Sequence, residues 1–193
     1  MNSFSGSENV ITEPTACVIC GSTSCVPIAI GFDYEYWVTD DSFTFVKCNI
    51  CGHIFLNPRP TYQSSSVIYP QNYYTLTGRH SKGSSIISYL KNIVIKKRLS
   101  FFKTTLKGSA KILEIGCGDG SLLINLKRNY PLVSCTGIDL RFNQEIKNEF
   151  IFFNIKLIEG KIEDVCLPDE EYDIIIMNQL IEHLWQPKEV MSK

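Results

Sequence analysis

From Lys111 to the end of the chain, short apolar runs alternate with segments of helical period. Lys111-Ile-Leu-Glu-Ile115 predicts a strand that ends in a glycine-rich turn, and Ser121 to Asn129 predicts a helix halted by Pro131. Val133 to Asp139 reads as a second strand, Arg141 to Phe153 as a second helix, and Lys156 to Glu159 as a third strand. Tyr172 to Met177, with three consecutive isoleucines, reads as a fourth strand buried on both faces. Such alternation predicts an α/β domain, a parallel sheet covered by helices. Upstream, Ile86, Ile87, Leu90, Ile93 and Val94 recur at helical steps between Lys91, Lys96 and Lys97, so an amphipathic helix is expected from Ser84 to about Lys107, ended by Gly108. Earlier still, Phe43-Thr-Phe-Val46 is β-like. The expected division is a loose terminus over 1–14, a small β module over 15–60, a connector with the helix over 61–109, and the α/β domain over 110–193.

Composition narrows the picture only slightly. The 193 residues are 44% hydrophobic with a formal net charge of -1, enough for one core plus a small module. Charge is unevenly spread: Ser42 through Leu113 contains no Asp or Glu but carries eleven Lys and Arg, from Lys47 to Lys111. That basic stretch is the solvated face of a helix and a linker, or it attracts an anionic substrate, nucleic acid or a membrane surface. Met1 to Ala16 has neither the basic start nor the apolar run of a secretory leader, and no stretch reaches the ~18 apolar residues of a membrane span. With paired cysteines, this favours a reducing, cytoplasmic setting.

The strongest motif is Glu114-Ile-Gly116-Cys117-Gly118-Asp-Gly120, between a predicted strand and a predicted helix. Glycines permit a sharp turn and let a ligand approach the backbone, and the helix that follows presents unpaired N–H groups. Asp139 follows at the end of the next strand, where an acid accepts hydrogen bonds from ribose hydroxyls in nucleotide-binding α/β folds. The dinucleotide fingerprint needs a glycine where Ser121 stands, and Glu114 would repel a pyrophosphate, so a nicotinamide dinucleotide is disfavoured. A carboxylate beside the loop suits a cationic ligand.

On these residues, about positions 110 to 193 resemble the class I S-adenosylmethionine-dependent methyltransferases, which implies their Rossmann-like fold and that cofactor. The resemblance implies that Gly116, Cys117, Gly118 and Gly120 lie against the methionyl part, with Glu114 orienting the turn or meeting the ammonium through water. It implies that Asp139 binds the ribose and Leu140 packs on the adenine. Gly160-Lys-Ile162-Glu163-Asp164 is similar to the loop that holds the adenine edge, and Asn178 joins the cofactor contacts. Glu182 and His183 match a Glu-His pair often found in the family's loop facing the substrate, with His183 as general base for an acceptor hydroxyl. Their bland reading is a first-turn glutamate favoured by the helix dipole and a histidine packed on the sheet.

The cysteines carry a second signal. Cys17-Val-Ile-Cys20-Gly21 and Cys48-Asn-Ile-Cys51-Gly52 are two copies of one knuckle, and two such pairs form the closed tetrahedral pattern of structural zinc; an iron–sulfur centre is the alternative. Cys25 and His53 read as neighbours of the site, and Cys117, Cys135 and Cys166 as small buried hydrophobes. Lys47 to Pro60 with the Tyr69–Tyr74 stretch is similar to the N-terminal module of bacterial methyltransferases associated with sugar, polysaccharide or secondary-metabolite modification. That implies a small-molecule or sugar acceptor, anionic if the basic stretch contributes. Nucleic acid is disfavoured, because the zinc-bearing ribosomal RNA methyltransferases space their ligands differently. Four of the family's seven strands can be placed, so the sheet is expected to be incomplete and the chain truncated. The alternative is a zinc-dependent nucleic-acid or protein-binding module on a degenerate methyltransferase scaffold.

Overall fold

The structure, a computed structural model, describes residues 10–34, 37–68 and 109–193, with Lys97, Leu99, Phe102 and Leu106 from the stretch between. The predicted helix over Ser84–Lys107 and the Tyr69–Tyr74 stretch lie almost wholly outside the described residues, as does most of the loose terminus; Lys97, Leu99 and Phe102 are helical. The chain forms two compact units, one running to Asn72 and including Trp185–Lys188, the other taking the remainder.

In the first unit, β2 (Cys25–Phe32), β3 (Ser42–Cys48) and β4 (Ile54–Leu56) make an antiparallel sheet in that order. The β2–β3 register slips between Pro27 and Ala29, which leaves Ile28 as a bulge. A short pair, β1 (Thr12–Glu13) with β5 (Arg59–Pro60), closes the unit. Arg59 ion-pairs with Glu13 at 3.0 Å and donates to the Trp185 carbonyl at 2.9 Å, while the Trp185 indole donates to the Pro60 carbonyl at 3.1 Å. A 3-10 turn (Tyr62–Ser64) and the one-turn α1 (Ser65–Ile68) follow β5.

The second unit is a parallel sheet of β8 (Lys156–Glu159), β7 (Ser134–Asp139), β6 (Lys111–Ile115) and β9 (Ile174–Met177), in that order. Numbered within this sheet the order is 3-2-1-4, the Rossmann-like arrangement expected from sequence. Helices α2 (Ser121–Asn129) and α3 (Gln144–Phe152) form the crossovers after β6 and β7. Period-two alternation along β6 sorts its side chains: Ile112 joins a core with Leu123, Ile124, Leu126, Ile146 and Phe150, whereas Leu113 and Ile115 join Ile138, Ile162 and Val190. Registers Ile115↔Ile138, Ile115↔Met177 and Asp139↔Glu159 bring all four strands to an end along one edge of the sheet. In α/β sheets that carboxyl edge is where ligands bind.

Two expectations need correction. The isoleucine strand is not buried on both faces: Ile175 is 52% exposed, because β9 lies at the edge of the sheet and pairs only with β6 among the described residues. Cys166 is exposed rather than a buried hydrophobe, since it lies in the open loop between β8 and β9.

Candidate functional site

The glycine turn and Asp139 meet directly. Gly116 and Cys117 N–H groups both donate to the Ile138 carbonyl, at 2.8 and 3.1 Å, which folds the turn over the end of β7. Gly118 N–H then donates to Asp139 Oδ2 at 2.7 Å, and Leu140 N–H to Oδ1 at 2.8 Å. Gly120 shows why the turn is built of glycine. Its φ is +65°, and an added Cβ would lie 2.1 Å from Phe150 Cε1. Asp119 braces the turn into α2, its Oδ1 accepting from Ser121 N–H at 2.9 Å and from the Ser121 hydroxyl at 2.5 Å.

The electrostatics of this edge are negative and partly dry. Desolvation pushes the Asp139 carboxyl up from 3.8, while N–H donation from Gly118 and Leu140 pulls the other way. The Cys117 thiol is pushed well above 9.0, first by burial and then by the charges of Glu114 and Asp139. Glu114 is 5% exposed, held inside the sheet with its Oε2 sealed from solvent. Acidic groups with little solvent around them favour a cationic ligand.

The loop after β8 is tied to the same edge, because Gly160 N–H donates to the Asp139 carbonyl at 2.9 Å. Its residues divide by burial. Ile162 is 5% exposed with its side chain in the core, so only its backbone faces outward chemistry; Glu163 is half-buried and its Oε1 is sealed without a hydrogen-bond partner. Asp164 is exposed, and Leu140 is 44% exposed.

Residues 87–193 match a family model described as a methyltransferase domain. The chain belongs to this family. Its methyltransferase domain is 27% identical over 86 residues to an uncharacterized methyltransferase of Mycobacterium bovis, covering 45% of this chain and 44% of that one. It is 32% identical over 90 residues to the malonyl-[acyl-carrier protein] O-methyltransferase of a Paenibacillus species, covering 42% and 32%. The matched region thus spans less than half the length of these curated relatives. Among solved structures, coclaurine N-methyltransferase bound to N-methylheliamine and SAH overlays with a TM-score of 0.45 at 21% identity, covering 51% of this chain and 30% of that one. A plantazolicin methyltransferase in complex with a pentazolic desmethylPZN analog and SAH gives 0.43 at 24% identity, covering 54% and 41%.

Beyond β9 the methyltransferase domain runs into Asn178, Gln179 and Leu180, then a 3-10 turn over Ile181–His183. Leu180 packs over the glycine turn, where a Cβ added at Gly116 would come within 2.9 Å of its Cδ1. Local sequence gives no sign of that contact. Asn178, Glu182 and His183 are exposed, and His183 N–H donates to the Leu180 carbonyl at 2.8 Å. The histidine is therefore not packed on the sheet.

In the first unit the two knuckles are near copies. Cys17 N–H donates to Ser22 O at 2.9 Å and Gly21 N–H to Cys17 O at 2.8 Å; Cys48 N–H donates to His53 O at 2.9 Å and Gly52 N–H to Cys48 O at 3.0 Å. Gly21 and Gly52 share φ of +75° and +76°, the left-handed turn that brings each cysteine pair to one point. The four sulfurs lie within 4.8 Å of one another, with Cys17 to Cys51 at 3.6 Å and Cys20 to Cys48 at 3.5 Å, and all four are free thiols. N–H groups of Cys51 and Ile50 help pull Cys48 down to about 6. Cys25 and His53 stand outside this set.

Proposed function

We infer that this chain is an S-adenosylmethionine-dependent methyltransferase acting on a small-molecule or sugar acceptor, with a structural zinc ion held by Cys17, Cys20, Cys48 and Cys51. One observation carries the reading: the glycine turn and the ribose-type acid are joined by the Gly118 to Asp139 hydrogen bond at 2.7 Å, at the carboxyl edge of a 3-2-1-4 parallel sheet. The residues suit the cofactor. Asp139 offers a carboxylate to a ribose diol, and Asp164, exposed on the loop after β8, offers one to an exocyclic amine. Glu114 and Asp139 supply negative charge for a ligand that carries a sulfonium and an ammonium. The cysteine cluster suits zinc, because tetrahedral Zn–S bonds of about 2.3 Å set sulfurs roughly 3.8 Å apart.

When bound, S-adenosylmethionine supplies a methyl group already activated for transfer. The chain's part is alignment and proton handling. His183, exposed beside Glu182, would take the proton that an acceptor hydroxyl loses on methylation. The basic stretch from Lys47 to Lys111 draws in an acceptor carrying phosphate or carboxylate.

Calorimetry with S-adenosylhomocysteine tests the cofactor assignment. Wild-type protein should bind with 1:1 stoichiometry, and Asp139→Ala should weaken binding by about tenfold to a hundredfold. No heat from the wild type, or an unchanged affinity in the variant, overturns the site.

A further inference from the structure

We propose that Lys193 is a positioning residue that holds the turn over 161–165 in the shape that grips the base of the cofactor. The inference rests on the S-adenosylmethionine reading above. The Lys193 ammonium donates to three carbonyls of that turn: Ile162 O and Val165 O, each at 2.9 Å, and Glu163 O. Its side chain is held at the right place from behind. Val190, 4% exposed, sits in the same apolar cluster as Ile162, and Lys193 N–H donates to the Val190 carbonyl. The turn is pinned at its other end by Gly160 N–H on the Asp139 carbonyl. Within it, Asp164 and Val165 N–H groups both donate to Lys161 O, at 3.0 and 3.1 Å.

Three carbonyl oxygens converging without a counter-dipole repel one another, and an ammonium with three donors reverses that repulsion. The peptide group is planar and trans, so drawing Ile162 O toward Lys193 turns the Glu163 N–H away from it. The peptide thus sets the direction of a backbone donor complementary to the unprotonated ring nitrogen on the edge of an adenine, a position that in hypoxanthine carries a proton. Lys193 thereby fixes discrimination for the base while touching none of it.

The test is affinity for two ligands that differ at the base. S-adenosylhomocysteine carries an amine at position 6, and S-inosylhomocysteine a carbonyl. Calorimetry on wild type, Lys193→Met and Lys193→Arg gives the ratio of the two dissociation constants. Lys193→Met should weaken S-adenosylhomocysteine about tenfold and the inosine ligand far less, so the ratio collapses, while Lys193→Arg restores most of it. Amides of 161–166 should exchange faster in Lys193→Met than in wild type. An unchanged ratio in Lys193→Met, or an equal loss for both ligands, overturns the proposal. A wild type that binds neither ligand overturns the cofactor reading instead, and the role of Lys193 with it.

Discussion

The two units of this chain are held together by different means. The second encloses a dense apolar core in which Ile112, Leu113, Leu123, Ile124 and Leu126 show no exposed surface. The first has few buried apolar side chains among its described residues, chiefly Val10 and Val46, and its most buried groups include the sulfurs of Cys17 and Cys48. Its sheet leaves Ile30 67% and Phe32 64% exposed. A unit with so little apolar burial is too small to be fixed by packing alone, and a metal cross-link is the usual remedy. On the proposed zinc reading, the cysteine cluster is to the first unit what the sheet–helix core is to the second.

The strongest way to break that comparison is to test the zinc ion proposed for the cysteine cluster. Structural zinc contributes about 10–16 kcal/mol of apparent binding free energy in small zinc domains near neutral pH, and in them binding energy is folding energy. The purified chain should hold one zinc per molecule by elemental analysis. Chelation, or Cys17→Ser with Cys48→Ser, should abolish amide protection at 17–22 and 48–53, where the paired knuckle hydrogen bonds lie. A chain that retains this protection without metal would show that the small unit folds by packing after all.

The matching blow to the second unit is smaller. Phe150 is 1% exposed, packs at 5.7 Å from the Phe142 ring, and fills the space left open by Gly120 and Gly137. Phe150→Ala should cost about 3–5 kcal/mol of stability through lost burial and the cavity left behind. Denaturant unfolding followed by far-ultraviolet dichroism would measure it, with zinc content per chain unchanged. Gly120→Ala attacks the same contact from the other side, by overpacking at a left-handed φ.

The same contrast explains what the sequence makes legible. Periodicity reads packed elements well, so β6, α2 and β8 fall where the pattern puts them. Helix α3 begins at Gln144 rather than Arg141 because Asn143 caps it, its side chain accepting from Ile146 N–H at 2.9 Å. The signal was present, since asparagine is a preferred cap. Paired Cys-x-x-Cys-Gly is equally local, and the four sulfurs duly converge. Contacts between distant segments are not written in local pattern. Leu180 over Gly116, and Lys193 on the 161–165 turn, depend on how loops return across the carboxyl edge, and neither run of sequence has a period to betray them. The exposure of Ile175 fails for a related reason: an apolar triplet reports what a strand is suited to, and the neighbours present decide what it buries.

The smallest effect is the most specific to the second unit, because it depends on the sign of a single shift. Burial raises the Asp139 carboxyl above 3.8. Between 3.8 and that raised value the folded chain binds more protons than the unfolded one, so this group's contribution to stability without ligand falls as pH rises through the window. Ligand affinity must run the other way. A ribose diol donates to the ionised carboxylate, so S-adenosylhomocysteine binding should strengthen as pH rises through the same window. Acid also competes with zinc for thiolates, so the measurement needs a control within the second unit. Asp139→Asn supplies it, since an amide has no proton to lose over this range and its weaker binding should be flat with pH. Wild-type affinity that stays flat as well would mean that Asp139 only braces the glycine turn through Gly118, and that the ribose is held by other groups.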